Sequence, residues 1–271
     1  MLDHLILGKK TPYPSQYAPS ILQAIPRQLN RDRIEVGQPL PFYGSDIWNA
    51  YELSWLNAKG KPVVAIGRFT IPCTSPYLVE SKSFKLYLNS LNSEHFANVD
   101  AAKSVMQRDL EACLQHPLQI EIFTADNTAS IVIGKLTGTC IDDLDIAIDN
   151  YSLNPSILRT ESGIADELLY SDLLKSNCPI TNQPDWGSIQ IHYQGPKIDH
   201  ASLLAYIISY RHHQEFRECC VERIFMDIKR QCQPQQLTVY VCEARRGGLD
   251  INPYRSTNPQ VKIEHQRLWR Q

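Results

Sequence analysis

Ser188-Ile189-Gln190-Ile191-His192-Tyr193 alternates apolar and polar side chains, the period of a half-buried strand. Two stretches at helical spacing follow, Asp199 to Tyr210 and Glu215 to Cys232. Two more strand-like stretches come next, Gln236 to Ala244 and Val261 to Leu268. The order is strand, helix, helix, strand, strand. In the first half, Trp48 to Leu56 and Val63 to Ile71 read as strands joined by Asn57-Ala58-Lys59-Gly60, a hairpin turn. Before them, Thr11 to Pro41 is Pro-rich and loop-like. Glu80 to Leu91 is a short amphipathic stretch and Val99 to Gln115 a helix. Leu118 to Thr124 and Ser130 to Leu136 are strand-like about an Asp126-Asn127 turn. The two halves predict an α+β protein with two similar units in tandem, alike in architecture rather than in sequence. The expected division is residues 1–137, a linker over 138–160, and residues 161–271. Gly138 to Ser156, rich in Asp, Asn, Thr and Ser, suggests the linker.

A chain of 271 residues buries a substantial core as one large domain or two modest ones. A formal net charge of -2 makes no electrostatic case for nucleic-acid binding. No apolar run approaches the roughly 18 residues needed to span a membrane. Met1-Leu2-Asp3-His4 lacks the basic and apolar regions of a signal peptide, so a cytoplasmic protein is expected. The eight cysteines, at 73, 113, 140, 178, 219, 220, 232 and 242, form no C-x-x-C pair. That argues against a zinc ribbon or a thioredoxin-type site. Cys113, Cys219 and Cys220 fall in helical patterns and Cys242 in an apolar strand, the places of packing residues.

Cys178 differs. It sits in Ser176-Asn177-Cys178-Pro179, with Asp185 seven positions later in Gln183-Pro184-Asp185-Trp186. A thiolate is a nucleophile, and a covalent cysteine enzyme needs an acid or base near it. The competing reading is a buried structural thiol beside a solvated carboxylate. Glu80-Ser81-Lys82-Ser83-Phe84-Lys85-Leu86-Tyr87 is a second unusual stretch, with Phe84 facing inward. It reads as an ordinary amphipathic turn, or as Glu80 pairing with a guanine-like edge while Ser81 and Lys82 meet a phosphate. Arg245-Arg246-Gly247-Gly248 reads as a basic turn or as a clamp on a cofactor phosphate. Neither a dinucleotide-binding G-x-G-x-x-G nor a P-loop is present. Arg211-His212-His213-Gln214-Glu215-Phe216-Arg217-Glu218 reads as a capped helix start with a solvated charged face and Phe216 as core anchor. No metal site is expected there, because a closed site needs three or four convergent ligands.

Together these motifs resemble the NADPH-dependent 7-cyano-7-deazaguanine reductases, the nitrile reductases of queuosine biosynthesis, in their long two-module form. The matching features are Leu7-Gly8-Lys9, Tyr13-Pro14, Tyr51 to Asn57, Glu80 to Ser90, Cys178-Pro179 through Asp185-Trp186, the Glu215-Phe216 region, and Arg245 to Pro253. The resemblance implies tandem tunnelling-fold modules, each β-β-α-α-β-β, with antiparallel sheets, helices on one face and active sites at module interfaces. It implies reduction of a nitrile to a primary amine at the expense of two NADPH. Cys178 would form a covalent thioimidate and Asp185 would act as general acid and base. Glu80 and Glu218 would hold the deazaguanine, with contacts from Val79, Ser81 and the Arg217 position. Ser81, Lys82, Arg246 and Gly247 would hold NADPH, and Arg245 with Arg246 would suit a 2′-phosphate.

One position departs from the family pattern: this chain has Arg217, where the resemblance implies that His usually precedes the helix glutamate. Arginine is a permanent cation without an acceptor, so it exchanges no proton there. The departure predicts that thioimidate formation survives while the reductive steps or substrate fit suffer. Two other readings stay open: a catalytically impaired purine-binding protein, and a different tunnelling-fold pterin or purine enzyme using zinc. Sheet edges left by module pairing predict a homo-oligomer, most simply a dimer.

Overall fold

Asn57 organises the first hairpin. Its Oδ1 accepts the N–H groups of Lys59 at 2.9 Å and Lys61 at 3.0 Å, and Gly60 supplies the left-handed φ of +78°. The turn joins β1 (Tyr43–Leu56) to β2 (Pro62–Pro72) as the alternating pattern predicts. The computed structural model describes residues 6, 8, 11–130 and 132–271, with side chains at all of these except 128–130. Met1 to His4, Leu7 and Lys9 of the first family motif, and Ile131 of the expected Ser130 to Leu136 strand lie outside the described residues.

Main-chain contacts divide the chain into two compact units. The first gathers Met1–Arg31, Asp46–Ile131 and Arg245–Asp250; the second gathers Asp32–Ser45, Val132–Ala244 and Ile251–Gln271.

In the first unit α1 (Ser81–Ser90) and α2 (Val99–Leu114) follow the hairpin, and β3 (Gln119–Phe123) returns antiparallel to β2, with Ile66 opposite Phe123. The strand order is β3-β2-β1. Phe84 packs inward as expected, edge-on to Trp48 at 5.5 Å and to Phe69 at 5.0 Å. Burying aromatic rings in tilted pairs ties α1 to the sheet. The Pro-rich opening is not all loop, because Ala24–Pro26 pairs antiparallel with Tyr77–Val79.

In the second unit the strands are β4 (Thr160–Ser171), β5 (Lys175–Asn177), β6 (Pro184–Ile198), β7 (Gln236–Glu243) and β8 (Leu249–Ser256). The helices α3 (His200–Ile208) and α4 (Arg217–Cys232) lie between β6 and β7 in sequence. The sheet runs β8-β7-β6-β4 with these pairings antiparallel, Thr139–Cys140 adds parallel to the outer edge of β4, and β5 also pairs with β6.

Two strand expectations are corrected here. Val261 to Leu268 is not a strand apart from Arg267–Leu268, which pairs parallel with Ile133–Gly134. Among the described residues of Ser130 to Leu136, Ile133–Gly134 alone form a strand. The strand of the second unit is β8, which follows directly on the Arg245 to Gly248 turn. Its Asp250, Asn252, Arg255 and Ser256 are buried, so its hydropathy hides it. Arg255, for example, donates through Nε and Nη2 to Glu222 at 3.1 and 2.9 Å. β4 was also missed, because its first five residues are exposed and show no apolar alternation.

Both units use the same device at their first long helix. Glu80 caps α1 and Asp199 caps α3. Ser83 Oγ donates to Glu80 O at 2.7 Å, and Ser202 Oγ donates to Asp199 O at 2.8 Å. The same hydroxyls accept the N–H of Gln23 and Arg159, at 3.0 and 3.1 Å. Each of those residues follows a Pro-Ser-Ile-Leu tetrapeptide, Pro19 to Leu22 and Pro155 to Leu158. A buried tyrosine then donates to an aspartate of the following helix, Tyr87 to Asp109 and Tyr206 to Asp227, both at 2.7 Å. The repeat therefore extends to short sequence signatures. The architecture is tunnelling-fold-like, a ββααββ arrangement of antiparallel strands in its second unit. Among the described residues, no helix is long and apolar enough to cross a membrane.

Candidate active site

β5 and β6 form a short hairpin, with Asn177 opposite Pro184 and Asp185 opposite Ser176. Cys178 opens its loop. Cys178 N–H donates to Gln183 O at 2.9 Å, and Asn182 N–H donates to Cys178 O at 3.0 Å. Asn182 takes the left-handed φ of +55° that closes the turn, a conformation Asn tolerates well. One hairpin thus carries both the thiol and the carboxylate, and both residues are buried.

A second strap brings α4 to this hairpin. Asn177 N–H donates to His213 O at 2.8 Å and Glu215 N–H donates to Asn177 O at 3.3 Å. Phe216 then occupies the N-cap position and Arg217 is the first helical residue. Arg217 and Glu218 are buried, not solvated, and Phe216 is half-buried with no side-chain cap. The expectation of a capped helix with a solvated charged face and a Phe216 anchor is corrected on all these points. The charges are inside because they are paired. Arg217 Nη2 donates to Asp185 Oδ1 at 2.8 Å, and Arg217 Nε pairs with Glu243 of β7. Burial pulls against the charge of Arg217, but the carboxylates of Glu243, then Asp185, then Glu218 hold its pKa above the usual arginine value.

Beside this cluster, Glu215 accepts from Arg223 Nε at 3.0 Å and Nη2 at 2.7 Å, and lies 3.1 Å from His213 Nε2. Burial pushes the Glu215 pKa up, and the bonds from His213 and Arg223 outweigh it, leaving it below the usual carboxylate value. His213, Glu215 and Cys220 bring possible ligand atoms within 4.8 Å of one another. Arg223 already supplies a cation to both Glu215 oxygens, and burial holds the Cys220 thiol well above its ordinary pKa. That donor set suits an ion-paired core better than a metal ion.

The first unit holds the other expected residues. Glu80 is fully buried and its carboxylate accepts the N–H groups of Lys82 at 2.6 Å and Ser83 at 2.7 Å. Burial raises its pKa, against those two bonds. Val79 ends the strand that precedes it, and Ser81 and Lys82 open α1 half-buried. Lys82 Nζ donates to Ile6 O at 3.2 Å. The Arg246–Leu249 turn is a two-residue hairpin with Gly247 and Gly248 at φ +62° and +80°. A Cβ on Gly247 would lie 2.6 Å from Lys85 Nζ. The turn lines a cleft of about 170 Å³ with Glu52, Lys85, Asn89 and Asn92. Arg245 stacks over Tyr51, its guanidinium 4.9 Å from the ring centroid.

Glu243 was missed from sequence. The available signal was one carboxylate at the end of the mostly apolar Val239 to Cys242 run.

Tandem caps, an antiparallel ββααββ unit and a hairpin-borne buried thiol define a tunnelling-fold-like protein. Residues 13–122 match the family described as nitrile reductase, 7-cyano-7-deazaguanine-reductase N-term, and residues 184–262 match the QueF-like protein family. The NADPH-dependent 7-cyano-7-deazaguanine reductase of Coxiella burnetii strain Dugway 5J108-111 is 58% identical over 267 residues, 98% of this chain and 96% of that protein. The reductase of the same name from strain RSA 331 / Henzerling II matches with the same identity and coverage. The apo crystal structure of an archaeosine synthase QueF-Like protein is 16% identical and covers 38% of this chain and 99% of its own, with a TM-score of 0.31. The chain belongs to the NADPH-dependent 7-cyano-7-deazaguanine reductase family.

Proposed function

We propose that this chain reduces the nitrile of 7-cyano-7-deazaguanine to the aminomethyl group, using two NADPH, in queuosine biosynthesis. Family membership supports the reaction, and the hairpin that carries Cys178 and Asp185 supports the route. Cys178 adds to the nitrile carbon, forming the C–S bond of a thioimidate. Asp185 takes the thiol proton and delivers it to the nitrile nitrogen. Reduction at that carbon expels Cys178 as the leaving group and leaves an imine, which a second reduction converts to the amine. Asp185, reprotonated from water, gives a proton to the departing sulfur, and a second proton from water completes the amine. Glu80 and Glu218 hold the heterocycle, with Val79, Ser81 and Arg217 around it. NADPH supplies one hydride for each of the two reductions.

The residues present suit that cofactor. Gly247 leaves beside Lys85 the space a Cβ would fill, and Ser81, Lys82 and Arg246 add hydroxyl and cationic donors for its phosphates. Arg245 and Arg246 suit the 2′-phosphate of NADPH. The sheet edges favour a homodimer closing tunnelling-fold barrels, and a cytoplasmic setting fits the reduced cysteines.

Intact mass after incubation with 7-cyano-7-deazaguanine tests the reading. The parent chain gains the mass of the nitrile and loses it as amine on adding NADPH, whereas Cys178→Ala gains nothing. A folded parent chain that forms no adduct overturns the covalent route.

A further inference from the structure

Asp185 and Glu243 stand on one face of the sheet. Gly187 lies opposite Glu243 in the β6–β7 register, and Asp185 is two residues before Gly187, hence on the same face. Gly187 puts no side chain between them; a Cβ there would lie 3.4 Å from Glu243 Cγ. Two buried carboxylates on such a diagonal repel unless a cation joins them. Arg217 is that cation. It reaches Asp185 Oδ1 through Nη2 and Glu243 through Nε, so two arms of one rigid fork set its plane. Glu243 is itself anchored, its backbone carbonyl accepting from Gln271 Nε2 at 2.9 Å. Glu218, on the same first turn as Arg217, is a third carboxylate whose charge the guanidinium feels.

We propose that Glu243 is a positioning residue for the reaction, holding the Arg217 guanidinium so that it orients Asp185 through Oδ1. This rests on the roles read above for Cys178 and Asp185. With Oδ1 committed to Arg217, proton exchange with Cys178 falls to Oδ2. Glu243 thereby makes an arginine workable where the family resemblance implies a histidine. A purely structural ion pair would support the fold equally well and would leave adduct chemistry unmoved.

A double-mutant cycle separates the two, using the full chain, Glu243→Gln, Arg217→His and the combined variant. The readouts are the rate constant and apparent affinity for adduct formation with 7-cyano-7-deazaguanine, without NADPH. Glu243→Gln is expected to slow adduct formation at least tenfold and to weaken affinity in the Arg217 background. In the Arg217→His background the same change is expected to cost less than threefold. Equal losses in both backgrounds, or no loss in either, overturn the proposal. If circular dichroism shows Glu243→Gln unfolded, Glu243→Asp replaces it. That variant keeps the charge on a shorter arm, and a parent-like rate in it also overturns the proposal. A parent chain that forms no adduct fails the covalent reading itself. A parent adduct with background-independent losses fails only the role of Glu243.

Discussion

Arg217 Nη2 donates to Asp185 Oδ1 across 2.8 Å, and neither side chain is more than 7% exposed. The residue that departs from the family pattern therefore rests on the carboxylate assigned to proton transfer. Arginine has no proton to exchange near neutral pH, whereas histidine does. Arg217→His is expected to form the thioimidate within threefold of the parent rate and to turn over NADPH at least tenfold faster. Its turnover should also acquire a pH dependence near the histidine pKa of about 6.5. Stopped-flow NADPH oxidation beside single-turnover adduct formation checks both. Equal turnover in the two proteins rules out a cost of Arg217 to the reductive steps.

Gly247 is the backbone position on which the cofactor assignment turns. Gly247→Ala places a Cβ at φ +62° and 2.6 Å from Lys85 Nζ. KM for NADPH is expected to rise about tenfold, roughly 1.4 kcal/mol of lost binding, while adduct formation, which needs no NADPH, stays at the parent rate. An unchanged KM removes Gly247 from the cofactor site.

Glu215 couples stability to pH. Its folded pKa is depressed by His213 and Arg223, so its contribution is full above the unfolded carboxylate value of about 4.3. That contribution is lost as pH falls through the folded value. Glu215→Gln is expected to cost about 2 kcal/mol at pH 7, because it leaves Arg223 without its charged partner. Urea midpoints from pH 7 down to pH 3 should fall less steeply for the variant than for the parent. Parallel slopes count against this pair as the source of the acid sensitivity.

Phe84 anchors α1 between Trp48 and Phe69. Phe84→Ala is expected to cost about 3–5 kcal/mol through lost burial and the cavity left behind. Chemical denaturation measures it, and a loss under 1 kcal/mol shows that the site collapses around the gap.

The amino-acid sequence by itself determined the local features. The β1–β2 hairpin follows from alternation and from Asn57 and Gly60. The long helices follow from apolar spacing, and the family follows from motifs spread along the chain. Cys178 and Asp185 were legible as a pair because one short hairpin holds both. Polar strands were not legible. β8 buries Asp250, Asn252, Arg255 and Ser256, and β4 begins exposed, so neither shows the apolar period that marks a strand. Only the tertiary structure decided what Arg217 does. Its partners lie on β6 and β7, far from it in sequence, and β-sheet register with helix packing brings them together. A buried charge takes its meaning from the groups around it, because desolvation forces it to find partners wherever the fold supplies them.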